Sequence, residues 1–330
     1  MPVSTSTTVA NWLLTEVMSQ IALDPLRGKY VLLPFLNMAD ISGRATKVRK
    51  IRKKNAIAAA VDDTEGVAYS NPPALGVAAN ISITPTTKVQ GVQLSADAVE
   101  LALPGVPRSQ VIASIEGGNA AALPLVRDAM MEILQSHYLR AETDGLALFP
   151  GLSESSGTTN TTLSFATMID AMLKLFDNNV ESEDALFAID EVGLSHLRTL
   201  AAGGTGASLA AIFGGGGSGD VSFFNHRPDA SRNGFRGSFA GVPIYAANKA
   251  VMATANAGVD RVGALIVAGR GETGAPGSVR GFAEMVERYE PSLGFSYDLS
   301  DDTLLAVGRW CWGLAEHTDE HGVRLIYRAT

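Results

Sequence analysis

The chain has 330 residues, 46% of them hydrophobic and 18% charged, which fits a globular protein with a substantial core and excludes a disordered one. The length allows two or three domains, and a formal net charge of −8 argues against a dedicated nucleic-acid binder. A single cysteine, Cys311, excludes an intrachain disulfide and a cysteine-built metal centre.

No apolar run approaches the roughly 18 residues of a membrane-spanning helix. The opening MPVSTSTTVANWLL lacks a basic start followed by an apolar core, so no secretory signal is expected and a cytosolic origin is. Residues 1–30 read as a thin Ser/Thr-rich arm, too small to fold alone. KYVLLPFLN (29–37) reads as a strand interrupted by Pro34, which favours a sheet edge. RATKVRKIRKK (44–54) packs seven basic residues into eleven: Arg44, Lys47, Arg49, Lys50, Arg52, Lys53 and Lys54. The rest of the chain holds 19 basic and 34 acidic residues, −15 against +7 here. Val48 and Ile51 are the only large apolar residues of the run, which argues against a buried strand. Two readings stand: a solvated face, or an electrostatic seat for an acidic partner or for phosphate.

Residues 56–79 are small, polar and rich in turn formers, with Asn71, Pro72, Pro73 and Gly76 as breakers. Strand-like alternation resumes in ISITPTTKVQGVQL (81–94). Basic strand, long tip and returning strand together predict an extended two-stranded hairpin. Such a hairpin is marginal in isolation and must lie on something. Residues 95–103 and 108–115 read as a short helix and a connection.

The stretch 119–148 carries the clearest periodicity. Leu123, Val126, Met130, Ile133, Leu134, His137, Tyr138 and Ala141 recur at spacings of three and four, one face of a helix. Arg127, Asp128, Glu132, Gln135 and Arg140 fall off that stripe. Asn119 is a suitable N-cap, Pro124 fits only a first turn, and Gly145 with Pro150 marks the end. A helix from about 120 to 144 would be about 36 Å long, a spine between two β-rich halves.

Residues 151–162 read as a polar linker and a domain boundary. A helix is predicted over 162–176, with Phe165, Ile169, Met172, Leu173 and Phe176 on its apolar side. ALFAID (185–190) reads as a short buried strand and 191–200 as a helix. Eight of the seventeen residues 203–219 are glycine, and Gly214, Gly215, Gly216, Gly217 and Gly219 predict a loop able to take many backbone shapes. FRGSFAGVPIYAA (235–247) predicts a hairpin turning at Gly241. Strands at 262–268, 279–289, 303–314 and 323–327 complete the β content. There is no repeat and no regular β–α alternation, so the class is α+β.

No constellation assembles a catalytic, cofactor or metal site. Gly269–Gly274 matches G-x-G-x-x-G after a strand, but Ala275-Pro276-Gly277 breaks the chain where a dinucleotide site needs a helix. GGGGSG (214–219) lacks the Lys-Ser/Thr of a phosphate loop. His317-Thr318-Asp319-Glu320-His321 fits H-x-x-E-H, the one hint of a metal-dependent hydrolase. Gly322 follows at once and the flanks read as strands, so a hairpin turn with two solvated histidines is expected instead. Ser208 lacks the preceding strand of a nucleophile elbow. Cys311, between Trp310 and Trp312, is expected to be packed rather than reactive. Asp62, Asp63 and Glu65 form a loose acidic cluster without a partner acid.

The order of these pieces resembles the major capsid protein of tailed double-stranded DNA phages, the Hong Kong 97-like fold. The hairpin matches that family's extended loop, with Asp63-Thr64-Glu65-Gly66 similar to its Glu-Gly and KVQGVQLS (88–95) to its exit strand. Residues 119–144 are similar to its spine helix, DGLALFPG (144–151) to the spine's exit, and Phe239–Tyr245 to the Gly-x-Pro hairpin of its axial domain. Residues 281–291 and the last strands resemble its return to the peripheral domain. The resemblance implies an arm (1–30), peripheral strands with an extended loop (31–95, loop about 47–88) and a peripheral domain with the spine (96–150, helix about 119–146). An axial domain (151–282) and return strands (283–330) follow. It implies a non-enzymatic subunit that needs no cofactor and assembles with copies of itself into pentamers and hexamers of an icosahedral head. That head encloses double-stranded DNA through non-specific contacts. Separate scaffolding, portal and decoration proteins are further implied partners, and the virion, after synthesis in the host cytoplasm, is the implied location. Extended loops lie across neighbouring subunits in the family. The seven basic residues named above, with Glu65 and Gly66, are therefore the expected inter-subunit contacts, and the glycines of 214–219 are expected near the capsomer axis. Family members often carry an N-terminal scaffolding segment of about a hundred residues; only about 30 precede the first strand here. No lysine–asparagine crosslinking pair can be assigned. An encapsulin-type cargo compartment is the alternative that shares the fold.

Overall fold

The structure is a computed structural model that describes residues 30–43, 47–51, 81–95, 109–110, 124–178, 180, 184–203, 235–247, 252–269, 280–298 and 303–329. Nearly all of the expected N-terminal arm and of the elements predicted at 95–103 and 108–115, with the hairpin tip, the Asn119 cap, the glycine-rich loop and most of the G-x-G-x-x-G segment, lie outside those residues. The described elements are strands with three helices, an α+β fold.

A four-stranded sheet has the order β1-β11-β12-β4, built from β1 (Asn37–Asp40), β4 (Thr86–Ser95), β11 (Ala283–Asp298) and β12 (Thr303–Glu316). Strand β1 runs parallel to β11 and the other pairs are antiparallel. Helix α1 (Pro124–Leu146) lies across one face. Its expected stripe is the buried one: Met130, Ile133, Leu134, His137, Tyr138 and Ala141 are all buried, while Asp128, Glu132, Gln135 and Arg140 are exposed. Proline opens the helix, where its missing N–H costs nothing. The helix sits close to the sheet because Gly308 on β12 has no side chain. A Cβ there would fall 2.3 Å from Ile133 Cγ2 and 3.0 Å from His137 Nε2. Trp310 and Trp312 follow on the same face of β12, tilted against each other, and Trp310 is tilted against Tyr138, which stacks on Tyr30. Strand alternation puts Cys311 on the opposite face, away from both tryptophans. Tyr289 and Thr87, its neighbours on β11 and β4, hydrogen-bond to one another across it. Cys311 is packed as expected, but beneath a tyrosine and not between the indoles.

The segment 29–37 is not an interrupted strand. Leu33–Phe35 forms a 3₁₀ turn with Pro34 in its first positions, and the strand begins only at Asn37, on a sheet edge as expected. The amides of Val31, Leu32 and Leu33 are drawn instead to the carboxylate of Glu142 on α1.

The second sheet runs β5-β13-β10-β6-β8-β7, with β9 (Thr254–Ala255) paired to β10. Its strands are β5 (Ser155–Ser156), β6 (Ala185–Asp190), β7 (Phe235–Phe239), β8 (Val242–Ala247), β10 (Asp260–Val267) and β13 (Gly322–Arg328). Strand β6 is buried throughout, as its apolar run predicts. Alternation shares it between two cores. Phe187 and Ile189 face α2 (Phe165–Asp177) and α3 (Glu191–Gly203), and Leu186 and Ala188 face the core that holds α1. The β7–β8 hairpin turns where expected, at Ala240-Gly241, both with positive φ (49° and 85°), the two-residue turn that matches strand twist. The segment read as a linker contributes β5 to the sheet edge, parallel to β13.

Helix α2 departs from its sequence pattern. Ser164 caps it, accepting from the Thr167 N–H at 3.2 Å. Its buried face is Met168, Ala171 and Leu175, with Phe165 and Met172 partly covered. Ile169, Leu173 and Phe176, expected in the core, point outward.

The burial of α1 yields a test. Leu134→Ala should lower the stability of the soluble subunit in denaturant melts by about 2–5 kcal/mol. Gln135→Ala, one residue on, should stay within about 0.5 kcal/mol. Equal losses would mean that α1 packs with a different face.

Candidate assembly surface

The basic run enters the structure as β2 (Arg49–Ile51), paired antiparallel with β3 (Ile81–Ile83). This is the root of the expected hairpin. The returning strand breaks at Thr84-Pro85, and β4 beyond it joins the four-stranded sheet. The root has a small core of its own: Ile51 and Ile83 are buried with Ala39, Ile41 and Val286. Ile51 is therefore a buried strand residue, contrary to the expectation for this run. Lys47 and Lys50 are exposed. Arg49 turns inward, with Nε 3.1 Å from Oε1 of the fully buried Glu284 on β11. Of the expected inter-subunit contacts, Arg49 is thus engaged within its own chain. Arg44, Arg52, Lys53, Lys54, Glu65, Gly66 and the glycines of 214–219 lie outside the described residues. Glu284 was missed from sequence. Its signal was a lone acid inside the apolar run FAEMV, because a buried carboxylate requires a partner.

A second polar joint fastens the start of the described chain to the spine. Glu142 is 3% exposed, and its two oxygens accept the N–H groups of Val31, Leu32 and Leu33 at 3.0–3.3 Å. Burial pushes its carboxyl up to about 7, against those three donors, which favour the charged form. Burial, with the Glu142 charge second, raises the Tyr30 hydroxyl to about 12. Beside them, burial holds His137 below the ordinary histidine range and so keeps it neutral, despite a favourable contact with the Gly308 backbone.

The tightest cluster of ionisable groups is structural. Asp190, at the junction of β6 and α3, accepts from the Gly193 N–H at 2.8 Å and from the Tyr327 hydroxyl at 3.0 Å. The Tyr327 oxygen accepts the Asp190 N–H at 3.1 Å, and Arg261 Nε lies 3.7 Å from Asp190 Oδ2. Asp190 caps α3 and clamps it to β13. Burial first, and the Asp190 charge next, raise the Tyr327 hydroxyl well above its usual range.

His317 lies two residues before a 3₁₀ turn, Asp319–His321, and His321 is that turn's last residue. That turn is not a hairpin: it carries the chain from β12 in one sheet to β13 in the other. Nor are the histidines solvated. His317 is buried with Nδ1 2.7 Å from Thr318 Oγ1, and His321 is half-buried with Nδ1 3.0 Å from the Arg280 carbonyl oxygen. Among the described residues no three His, Cys, Asp or Glu side chains converge as a metal site would require, and no helix is long and apolar enough to cross a membrane.

The overall fold recurs among solved structures. The chain is similar to the capsid of Helicobacter pylori bacteriophage KHP30, with a TM-score of 0.56 at 8% identity, covering 91% of each chain. It is similar to the capsid of the cyanophage P-SCSP1u, with a TM-score of 0.53 at 14% identity over 92% of this chain and 90% of that one. The fold is that of phage capsid shells. The same fold is found in the SrpI encapsulin of Synechococcus elongatus, with a TM-score of 0.52 at 11% identity over 91% of this chain and 88% of that one. No protein-family model and no curated protein sequence matches the chain.

The Glu142 joint has a pH signature. Its folded-state carboxyl is raised, so the folded protein holds the proton more tightly than the unfolded chain. The associated stability is present below the ordinary glutamate range, near 4.5, and is lost as pH rises through about 7. Glu142→Gln should remove this decline, about 2–4 kcal/mol across that window, whatever its effect on absolute stability. Urea melts of both proteins from pH 4.5 to 8 measure it, and subtraction removes the opposite contribution of His137. Parallel curves would show that Glu142 does not titrate there.

Proposed function

We propose that this chain is the major capsid protein of a tailed double-stranded DNA phage. The observation that carries the reading is the shared fold, which spans nine-tenths of the chain in capsids of unrelated phages at 14% identity or less. In this reading the four-stranded sheet and α1 form the peripheral domain, and the seven-stranded sheet with α2 and α3 forms the axial domain. Their boundary in this reading lies near 151, and the last strand, β13, which pairs within the seven-stranded sheet, returns to the axial domain. Copies of the chain form pentamers and hexamers of an icosahedral head around double-stranded DNA, which they touch without sequence preference. Scaffolding, portal and decoration proteins are separate chains, and the subunit is made in the host cytoplasm before it enters the virion. The subunit is not an enzyme, and His317 and His321 serve the crossing between the sheets. The similarity to an encapsulin supports a second reading, a cargo compartment of the same fold. Negative-stain microscopy of purified assemblies, with their nucleic-acid and protein content measured, separates the two.

The hairpin supplies the contact between neighbours. Its root is fastened by Ile51, Ile83 and the Arg49–Glu284 pair, so the root belongs to the fold and the tip to assembly. Exposed Lys47 and Lys50 leave a basic face toward an acidic neighbour. Replacing residues 56–79 with a short Gly-Ser turn should leave a soluble subunit with near-normal circular dichroism that forms no shells by light scattering. Lys47→Glu with Lys50→Glu should weaken assembly, and high salt should weaken wild-type assembly in part, since each rim ion pair is worth about 0–1 kcal/mol. Normal shells from the shortened variant would remove the hairpin from this role.

A further inference from the structure

Helix α2 carries two apolar stripes and the fold uses one. Met168, Ala171 and Leu175 are buried against the seven-stranded sheet. Ile169, Leu173 and Phe176, spaced four and three apart, form a second stripe on the outer side, 43%, 57% and 45% exposed. Single exposed apolar residues are ordinary, but three in one helical row form a continuous strip, and such strips mark contacts.

Two of the charges beside the strip match each other. Asp170 and Lys174 flank Leu173 and pair with each other at 2.8 Å, and Lys174 also donates to the Ser155 carbonyl at 2.7 Å. The Lys174 pairing, with the Ser156 hydroxyl, holds the Asp170 carboxyl below its usual range. The strip therefore presents apolar side chains beside a neutral pair, with the exposed Asp177 at its end next to Phe176. Its size limits what it can do alone. Three side chains at these exposures offer roughly 250 Å² together, well short of the ~800 Å² per partner of a stable pair. Such a contact does not hold a free dimer. It becomes effective where each copy is already held by others and the weak contacts act together.

We infer that the Ile169–Leu173–Phe176 strip packs against a second copy of this chain, the adjacent one in the ring of subunits that forms a capsomer. This rests on the shell reading and adds to it a defined contact on the axial domain, separate from the hairpin. The contact is heterologous: the strip of one copy meets a different surface of the next, and the rotation closes the ring.

Two variants of the full chain test it. In Leu173→Cys the new thiol is the only exposed one among the described residues, because Cys311 is buried. A maleimide should label it readily in free subunits and at least about tenfold more slowly in assembled shells, the protection that burial at a contact confers. Leu173→Glu should keep the circular dichroism and thermal midpoint of the wild-type subunit and lower the yield of shells at least about tenfold. Equal labelling of subunits and shells, with normal shells from Leu173→Glu, would overturn this contact and leave the shell reading standing. A wild-type chain that forms no shells would overturn both. A Leu173→Glu subunit that is unfolded, with Leu173→Cys unlabelled in free subunits, would assign the strip to the core and overturn the contact.

Discussion

Helix α1 can lie on the four-stranded sheet only because β12 presents a glycine where the two approach most closely. A side chain at Gly308 would occupy the space of Ile133 and crowd the His137 ring. Everything around that contact is graded in size. Gly308 is followed on the same face by Trp310 and Trp312, which fill the widening gap beyond the helix, and Tyr138 and Tyr30 extend the aromatic series to the first described residue. Lys88 closes the outer end, its ammonium 5.0 Å from the Trp312 ring centre. Close packing of this kind transmits strain, so the spine and the sheet behave as one body.

That body is joined to the second sheet at a few buried polar points. Phe282, fully buried between β10 and β11, donates its N–H to Val267, and its carbonyl accepts from His317 and Thr318. The side-chain oxygen of the fully buried Asn37 accepts the Gly281 N–H at 2.7 Å. Two of the three places where the described chain crosses between these sheets, β10 to β11 and β12 to β13, are therefore stitched side by side. The Glu142 carboxylate does the same for the segment 31–33, and Glu284 for the hairpin root. Each of these groups would be costly to bury alone, so each selects one arrangement of the elements it joins. Such joints specify relative position more sharply than apolar contact does.

Periodicity makes local statements, and where neighbours leave little choice those statements are sufficient. The stripe of α1, the buried run of β6, the turn at Gly241 and the order of strands could be read directly, and so could the α+β class. The hairpin was legible from its flanks, and its root pairs as the pattern implies. For α2 the same logic misleads, because two apolar stripes satisfy the helical repeat equally well. The positions of β13 and β5, against which α2 packs, decide which stripe is covered.

By itself the amino-acid sequence determined most of the helix and strand segments and the order in which they come. Those properties follow from spacing, turn chemistry and composition, which act over a few residues. Only the tertiary structure decided that Arg49 meets Glu284, 235 residues away, that residues 31–33 give their amides to Glu142, and that Cys311 lies under Tyr289 and not between the tryptophans. It alone also left Ile169, Leu173 and Phe176 outside. Each of these depends on a partner brought close by the register of a sheet or the crossing of a helix. That geometry is set by the packing of the whole chain, which no local window of residues contains.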